Sequence, residues 1–308
     1  MSPPALDPGR VWLWVDGARP RTLGATLAPF LVGTAVAAAE GRIVPWRAGA
    51  VLICIGALQI GTNYANDYSD GCRGVDAQRV GPLRLTASGL VEPASVRRAA
   101  IASFAVAGAT SVSFAFTVDP KFAIAGPLAI AAGALYTGGP SPYGYTSLGE
   151  AAVFLCFGMA ATLGAAYVHL RRFAPLGIAA SVPVGLLAAA LLVTNNLRDV
   201  ETDRESGKTT LVVRLGELPS IRLFRSLVGM AFVSAALIAS KKPAALLALA
   251  AAPLASSPWR AVRPGADGPT LVGALRGTAR LQLAFAALLA AGLWPRRARR
   301  TRWPGRAR

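Results

Sequence analysis

Two short stretches concentrate the groups that could do chemistry: Asn63-Tyr-Ala-Asn66-Asp67-Tyr-Ser-Asp70 and Asn195-Asn196-Leu-Arg198-Asp199-Val-Glu201-Thr-Asp203. Together they hold a third of the chain's fifteen carboxylates. Each stretch ends a long apolar run, where charge is costly and acids point to function by default. Residues three or four apart share a helix face. Asn63, Asn66, Asp67 and Asp70 therefore form one stripe, and Asn195, Asp199 and Asp203 another. The spacing Asn-x-x-x-Asp recurs at Asn63/Asp67 and Asn195/Asp199, which hints at an internal duplication.

Such clusters suit a divalent cation and a phosphate ester. Mg²⁺ prefers oxygen ligands, keeps several waters, and is commonly held by one or two carboxylates plus substrate phosphates. Two facing clusters could hold two Mg²⁺ ions that grip a diphosphate and neutralise charge on the departing pyrophosphate. Asn side chains would add neutral ligands. Arg79, Arg84, Arg198, Arg204, Lys208 and Arg214 carry the charge that phosphate oxygens need, with Arg84 and Lys208 the favoured pair. Ionisation of an allylic diphosphate leaves a cation, which aromatic faces stabilise. Tyr64, Tyr68, Tyr136, Tyr143 and Tyr145 are the candidates, although each alone also fits an interfacial aromatic belt.

The elements that must position these groups are membrane helices. The chain is 54% hydrophobic and 15% charged, with mean hydropathy +0.47, far more apolar than a soluble domain. Runs long enough to cross about 30 Å of hydrocarbon fall near 22–39, 48–66, 97–117, 122–139, 148–168, 175–197, 220–239, 243–257 and 274–294, nine in all. Their wealth of Ala and Gly suits close packing in lipid. No sustained period-two alternation suggests a barrel.

Residues 1–21 lack the apolar core of a cleavable signal. Cys54, Cys72 and Cys156 have no metal-ligand spacing, and His169, the only histidine, is read as interfacial, which removes Ser-His-Asp chemistry. With the N-terminus inside, the cytoplasmic loops carry most of the Lys and Arg, and both acidic clusters share that face, so they can converge. The tail from Arg296 holds seven arginines yet falls outside on nine spans, an exception to the rule. The net charge of +17 reads as membrane-surface electrostatics and not as nucleic-acid binding.

A diphosphate site inside a membrane implies a lipid diphosphate, its tail among the Ala-rich helices. A secondary transporter is the rival reading, but its acids would lie mid-span beside broken helices. Here they end spans and are followed by long polar loops that suit a lid.

Asn66-Asp67-x-x-Asp70 and Asp199-x-x-x-Asp203 on this background resemble the two Asp-rich motifs of the UbiA superfamily of membrane prenyltransferases. Ala18-Arg-Pro-Arg-Thr-Leu23, the stretch Arg79–Leu90, Tyr136-Thr-Gly-Gly-Pro-Ser-Pro-Tyr-Gly-Tyr145 and the stretch Asn195–Lys208 are similar to the actinobacterial branch that prenylates 1,4-dihydroxy-2-naphthoate in menaquinone synthesis. The resemblance covers nearly the whole chain and implies one domain over 1–308 in the cell membrane. It implies an all-α membrane fold in which nine helices enclose a central cavity open to the cytoplasmic side. It also implies a reaction: a polyprenyl diphosphate joins the carboxyl-bearing ring carbon, releasing diphosphate and CO2. Loss of CO2 restores aromaticity, so no base is needed to strip a ring proton. The implied partners are the two substrates and membrane lipid, without an obligate protein partner. Carried over by position, Asn66, Asp67, Asp70, Asp199 and Asp203 are the Mg²⁺ and diphosphate residues, supported by Asn63, Asp76, Asn195 and Asn196. Arg19 matches the family's Arg-Pro element. Asp76 lies six residues past Asp70, where other branches keep a four-residue spacing that Gly74 fills here. The acceptor pocket is expected around Tyr136–Tyr145 and Gly81–Gly89. The residues leave other acceptors open within the superfamily: 4-hydroxybenzoate, homogentisate, haem or a chlorin.

Overall fold

The computed structural model describes residues 8–75 and 83–295, and the regular structure among them is helical throughout. Helix α1 (Pro8–Ala18) turns through Pro20–Thr22 into α2 (Leu23–Ala39), followed by α3 (Pro45–Cys72), α4 (Pro93–Thr117) and α5 (Phe122–Leu135). A loop holding the short turn Tyr143–Tyr145 leads into one continuous helix, built from α6 (Gly149–Ala152), a π-helical stretch (Val153–Ala160) and α7 (Ala161–Leu170). Next come α8 (Pro175–Arg198), the short α9 (Val200–Glu205) and α10 (Leu211–Leu215), and α11 (Glu217–Ala239). A 3-10 stretch, Pro243–Ala251, continues as α12 (Ala252–Ala261), and α13 (Gly268–Leu293) closes the order. Proline at the start of α3, α4 and α8 costs no hydrogen bond, because the first amides of a helix have no partner within it.

Each expected apolar run coincides with a helical segment. Five helices are long and apolar enough to cross a membrane: α3, α4, the continuous Gly149–Leu170, α8 and α11. The chain is a multi-pass membrane protein. Nine crossings is a larger number than length and composition alone support. α2 and α5 are shorter apolar helices, the run from Pro243 divides into 3-10 and α pieces, and Arg276, Arg280 and Gln282 lower the hydropathy of α13.

α2, α8, α11 and α13 share a core in which Val32, Val36, Leu187, Phe224, Phe285 and Leu289 are fully buried. α3 packs along α4, and α5 lies against both. Small residues set the closest approach: a Cβ on Gly158 would fall 2.1 Å from the Cα of Gly185, so the π-helical stretch meets α8 backbone to backbone. Between α2, α3, α4, α5 and α7 lies an apolar cavity of about 420 Å³, lined by Val51, Leu58, Phe114, Phe122, Ala129 and Phe157 among others.

The polar ends separate cleanly. At one end gather the C-termini of α3, α5 and α8 with the N-termini of α2, α4 and α6. At the other, Arg47 donates to the carbonyl oxygens of Val168 (2.7 Å) and Thr117 (2.9 Å), capping α7 and α4 together. Arg47 is thus buried and not the loop cation that its position suggests. His169 is likewise fully buried and not interfacial, its Nδ1 accepting the Val44 N–H at 3.2 Å. Asp76, Arg79 and the arginine-rich tail lie outside the described residues.

Candidate active site

The first motif occupies the last turns of α3. The carbonyl of Asp70 accepts the N–H of Val75 (3.1 Å), that of Gly71 accepts Gly74 N–H (3.2 Å), and Gly74 sits at φ +72. This is a Schellman ending, in which a left-handed glycine lets the chain fold back over the last carbonyls. α9 ends in the same way. The Asp203 carbonyl accepts Lys208 N–H (2.9 Å), the Arg204 carbonyl accepts Gly207 N–H (3.1 Å), and Gly207 has φ +77. Asp70 and Asp203 therefore hold the same place in two helix endings. Carboxylates at helix C-termini face the negative end of the dipole and need cations nearby.

Each acid has a defined set of partners. Asp67 is fully buried, its Oδ2 accepting from Leu85 N–H (2.9 Å) and its Oδ1 from Thr86 N–H (2.8 Å), so it anchors the loop that carries Arg84. Asp70 Oδ1 accepts from the Tyr145 hydroxyl at 2.6 Å, and Arg84 Nη2 lies 3.9 Å from Oδ2. Asn66 Oδ1 accepts from Thr137 Oγ1 at 2.7 Å. Arg198 donates to Asp199 through Nε (2.7 Å) and Nη2 (2.6 Å), and Nη2 also reaches Asn195 Oδ1 (3.0 Å). Lys208 Nζ lies 3.2 Å from Asp203 Oδ1.

The second stripe departs from its expected form. α8 ends at Arg198 and Asp199 is its non-helical C-cap, so Asp203 rides on the separate α9 and not on a continuation of α8. The neighbouring Arg198 folds onto Asp199, which helps to explain the break. The loop after the second motif is built from α9 and α10, with Thr210 capping α10 through Val213 N–H.

Tyr145 joins the two motifs. While its hydroxyl holds Asp70, its ring lies 4.6 Å beneath Lys208 Nζ and 5.5 Å from the Arg73 guanidinium, and its carbonyl accepts Thr209 N–H at 2.7 Å. Arg73 also donates to the carbonyls of Thr137 and Gly139, and Ser69 Oγ to that of Thr137 (2.7 Å), which bolts the Thr137–Leu148 loop to α3. Burial, then the Asp70 charge, push the Tyr145 phenol well above its ordinary range, so it stays a donor. Tyr136 and Tyr143 meet edge to face at 5.4 Å. Burial pushes Tyr143 up to about 12. Burial first, and then the charge of Glu150, hold the Tyr136 phenol above its ordinary range.

Other expected residues lie around this centre. Asn63 Nδ2 donates to Ala18 O and Thr22 Oγ1, both at 2.9 Å, and thereby holds the corner between α1 and α2. Arg19 stands at that corner with a left-handed backbone (φ 55) and a buried Nη2 that has no hydrogen-bond partner. A non-glycine residue in that region stores strain, typically at a functional site. Tyr64 is an anchor of α1, donating to Trp14 O at 2.7 Å. Arg204 and Arg214 are exposed. Asn196, 6% exposed, donates to Glu150 Oε1 at 2.9 Å.

Glu150, Thr137 and Arg73 escaped the sequence reading. Glu150 left one signal there: it is the only carboxylate between Asp119 and Asp199 and opens an apolar run. Among the described residues no three His, Cys, Asp or Glu side chains form a ready metal cage. The donor set still fits Mg²⁺. It offers hard carboxylate and amide oxygens at negative helix ends, and Mg²⁺ commonly takes only one or two protein carboxylates besides phosphate.

Comparison with known proteins places this geometry. Residues 26–269 match the model of the UbiA prenyltransferase family. The chain is 43% identical over 280 residues to 1,4-dihydroxy-2-naphthoate octaprenyltransferase of Mycobacterium tuberculosis, covering 91% of this chain and 96% of that one. It is 40% identical over 220 residues to the Escherichia coli protein of the same name, covering 69% and 71%. A UbiA homolog from Archaeoglobus fulgidus, solved bound to DMAPP and Mg²⁺, superposes with a TM-score of 0.65 at 17% identity, over 90% of this chain and 98% of that one. With its fold, its two acidic helix endings and the extent of these matches, the chain belongs to the UbiA prenyltransferase family.

Proposed function

We propose that this protein transfers a polyprenyl group from a polyprenyl diphosphate to the carboxyl-bearing carbon of 1,4-dihydroxy-2-naphthoate, releasing diphosphate and CO2 and yielding demethylmenaquinol. The observation that carries the reading is the convergence of Asp70 and Asp203, through Tyr145 and Lys208, beside an apolar cavity. The similarity to the Mycobacterium tuberculosis and Escherichia coli 1,4-dihydroxy-2-naphthoate octaprenyltransferases supports the acceptor.

Asn66, Asp70, Asp199 and Asp203 would hold Mg²⁺, which when bound supplies Lewis-acid stabilisation of the diphosphate leaving group. Asp67 acts with them by fixing the Leu85–Thr86 amides and so the position of Arg84. Arg84 and Lys208 now neutralise Asp70 and Asp203. They turn to phosphate oxygens when the diphosphate arrives, and Arg19 adds its partnerless Nη2. Asn195 and Asn196 hold Asp199 and Glu150 in register. The face of Tyr145, already stacked under cations, is suited to an allylic cation. Tyr136 and Tyr143 wall the acceptor side.

The prenyl tail enters the apolar cavity. α5 packs on α3 and α4 and meets the Gly149–Leu170 helix where Phe122 lies edge to face against Tyr167 at 6.0 Å, and both helices line the cavity. A volume of about 420 Å³ suits a small ligand and not a whole polyprenyl chain. The basic residues at the site end support a site that faces the cytoplasm from the cell membrane.

The test is purified full-length protein given Mg²⁺, a polyprenyl diphosphate and each aromatic acid in turn. Product and CO2 from dihydroxynaphthoate, abolished by EDTA, are expected. Prenylation of 4-hydroxybenzoate alone, or turnover in excess EDTA, would overturn the reading.

A further inference from the structure

Glu150 is a buried carboxylate, 5% exposed, at the start of the Gly149–Leu170 helix. Its Oε1 accepts from Asn196 Nδ2 at 2.9 Å, and its Oε2 has no hydrogen-bond partner. A buried carboxylate oxygen without a donor is costly, because desolvation is left uncompensated. The helix N-terminus beside it is the positive end of its dipole, which favours the charged form. Tyr136 Oη lies 3.8 Å from where a Cβ on Gly149, the residue before Glu150, would stand, so the start of this helix packs near the Tyr136/Tyr143 pair. Asn196 belongs to the second acidic motif, so this bond sets Glu150 beside the proposed diphosphate site.

We propose that Glu150 Oε2 receives a ring hydroxyl of the aromatic acceptor and takes its proton, with Asn196 holding the carboxylate in orientation. The inference rests on the prenyl transfer proposed above. The O–H bond breaks and the proton passes to Oε2. The oxygen electron pair conjugates into the ring, and the carboxyl-bearing carbon attacks the allylic carbon. The allylic C–O bond breaks with its pair leaving on diphosphate. The ring is then a ketone with a quaternary carbon. Loss of CO2 returns the C–C electron pair to the ring as a naphtholate, and Glu150 gives the proton back to its oxygen. A ring C–H proton never has to be removed, but a hydroxyl proton is lent and returned. A phenolic acceptor with a free hydroxyl beside or opposite the attacked carbon is thereby selected.

The test uses full-length protein in detergent, with Glu150→Gln, an isosteric change that retains an acceptor for Asn196. Both forms receive 1,4-dihydroxy-2-naphthoate and each of its mono-O-methyl ethers. Acceptor binding is measured by calorimetry and turnover in parallel. For Glu150→Gln a fall of roughly 10²-fold in kcat/KM for the acceptor is expected, the low end for general-base catalysis, with KM for polyprenyl diphosphate unchanged. One ether costs the wild type a similar factor and costs Glu150→Gln nothing further. In the binding arm, Glu150→Gln weakens the parent acceptor and leaves the matching ether unaffected. Equal behaviour of the two proteins, or losses that multiply, would overturn the inference. Wild-type inactivity with dihydroxynaphthoate would overturn the parent reading, while the binding arm still decides Glu150. Should Glu150→Gln misfold, Asn196→Ala must reproduce the acceptor-specific loss.

Discussion

The Tyr145 hydroxyl donates to Asp70 Oδ1 at 2.6 Å, and that one bond ties the end of α3 to the loop between α5 and α6. The same ring underlies Lys208 at 4.6 Å, so one tyrosine spans both acidic motifs. Its two functions can be separated. Tyr145→Phe removes the donor and keeps the stacked face. A hydrogen bond to a charged group is worth about 1.5–3 kcal/mol, so kcat/KM for the prenyl diphosphate should fall roughly 10- to 100-fold. Tyr145→Leu, which also removes the face, should fall further. Equal effects in steady-state assays would show that the ring contributes nothing.

Asp67 and Asp203 should fail in different ways. An Asn in place of Asp67 can accept through only one atom, so the Leu85 or Thr86 N–H loses its partner. Hydrogen exchange at these two amides should quicken in Asp67→Asn and stay unchanged in Asp203→Asn, while both variants lose activity.

Lys208 and Asp203 form a nearly buried pair at 3.2 Å. Removing one partner of such a pair leaves the other charge uncompensated and is strongly destabilising, by about 3–5 kcal/mol when burial is complete. Lys208→Gln should therefore lower thermal stability and raise KM for the diphosphate about tenfold. The double change with Asp203→Asn should cost less stability than the sum of the singles, because contacting residues couple.

Acid should weaken α13 at its start. Asp267 caps this helix through Thr270 N–H at 2.9 Å, and hydrogen bonding to Thr270 holds its carboxyl below the ordinary carboxylate range. A depressed folded value means that the contribution is present above the unfolded value, near 4, and is lost as pH falls through the folded one. Asn caps equally well at any pH. Asp267→Asn should therefore flatten the acid side of the thermal-stability profile, measured between about pH 6 and about pH 3.

Much of this architecture was legible in the chain. Apolar runs of membrane length announced the helices, and Asp70 and Asp203, each followed four residues later by glycine, already contained their shared helix ending. What misled were positions whose meaning depends on a distant partner. Arg47 and His169 look like loop residues in sequence, yet Arg47 is buried against a carbonyl 121 positions later and His169 against an amide 125 positions earlier. Asn63 shares a stripe with the acids, yet its amide serves Ala18 and Thr22, because the corner before α2 falls there.

The sequence by itself determined a helical membrane protein with two acidic helix ends and a surplus of cations, since hydropathy, period and spacing are local properties. Only the tertiary structure decided which cation meets which acid, that Tyr145 bridges the motifs, and that Glu150 is buried against Asn196 with one oxygen left without a donor. Those relations follow from how helices cross, and Gly158 against Gly185 sets one such crossing by the absence of a side chain.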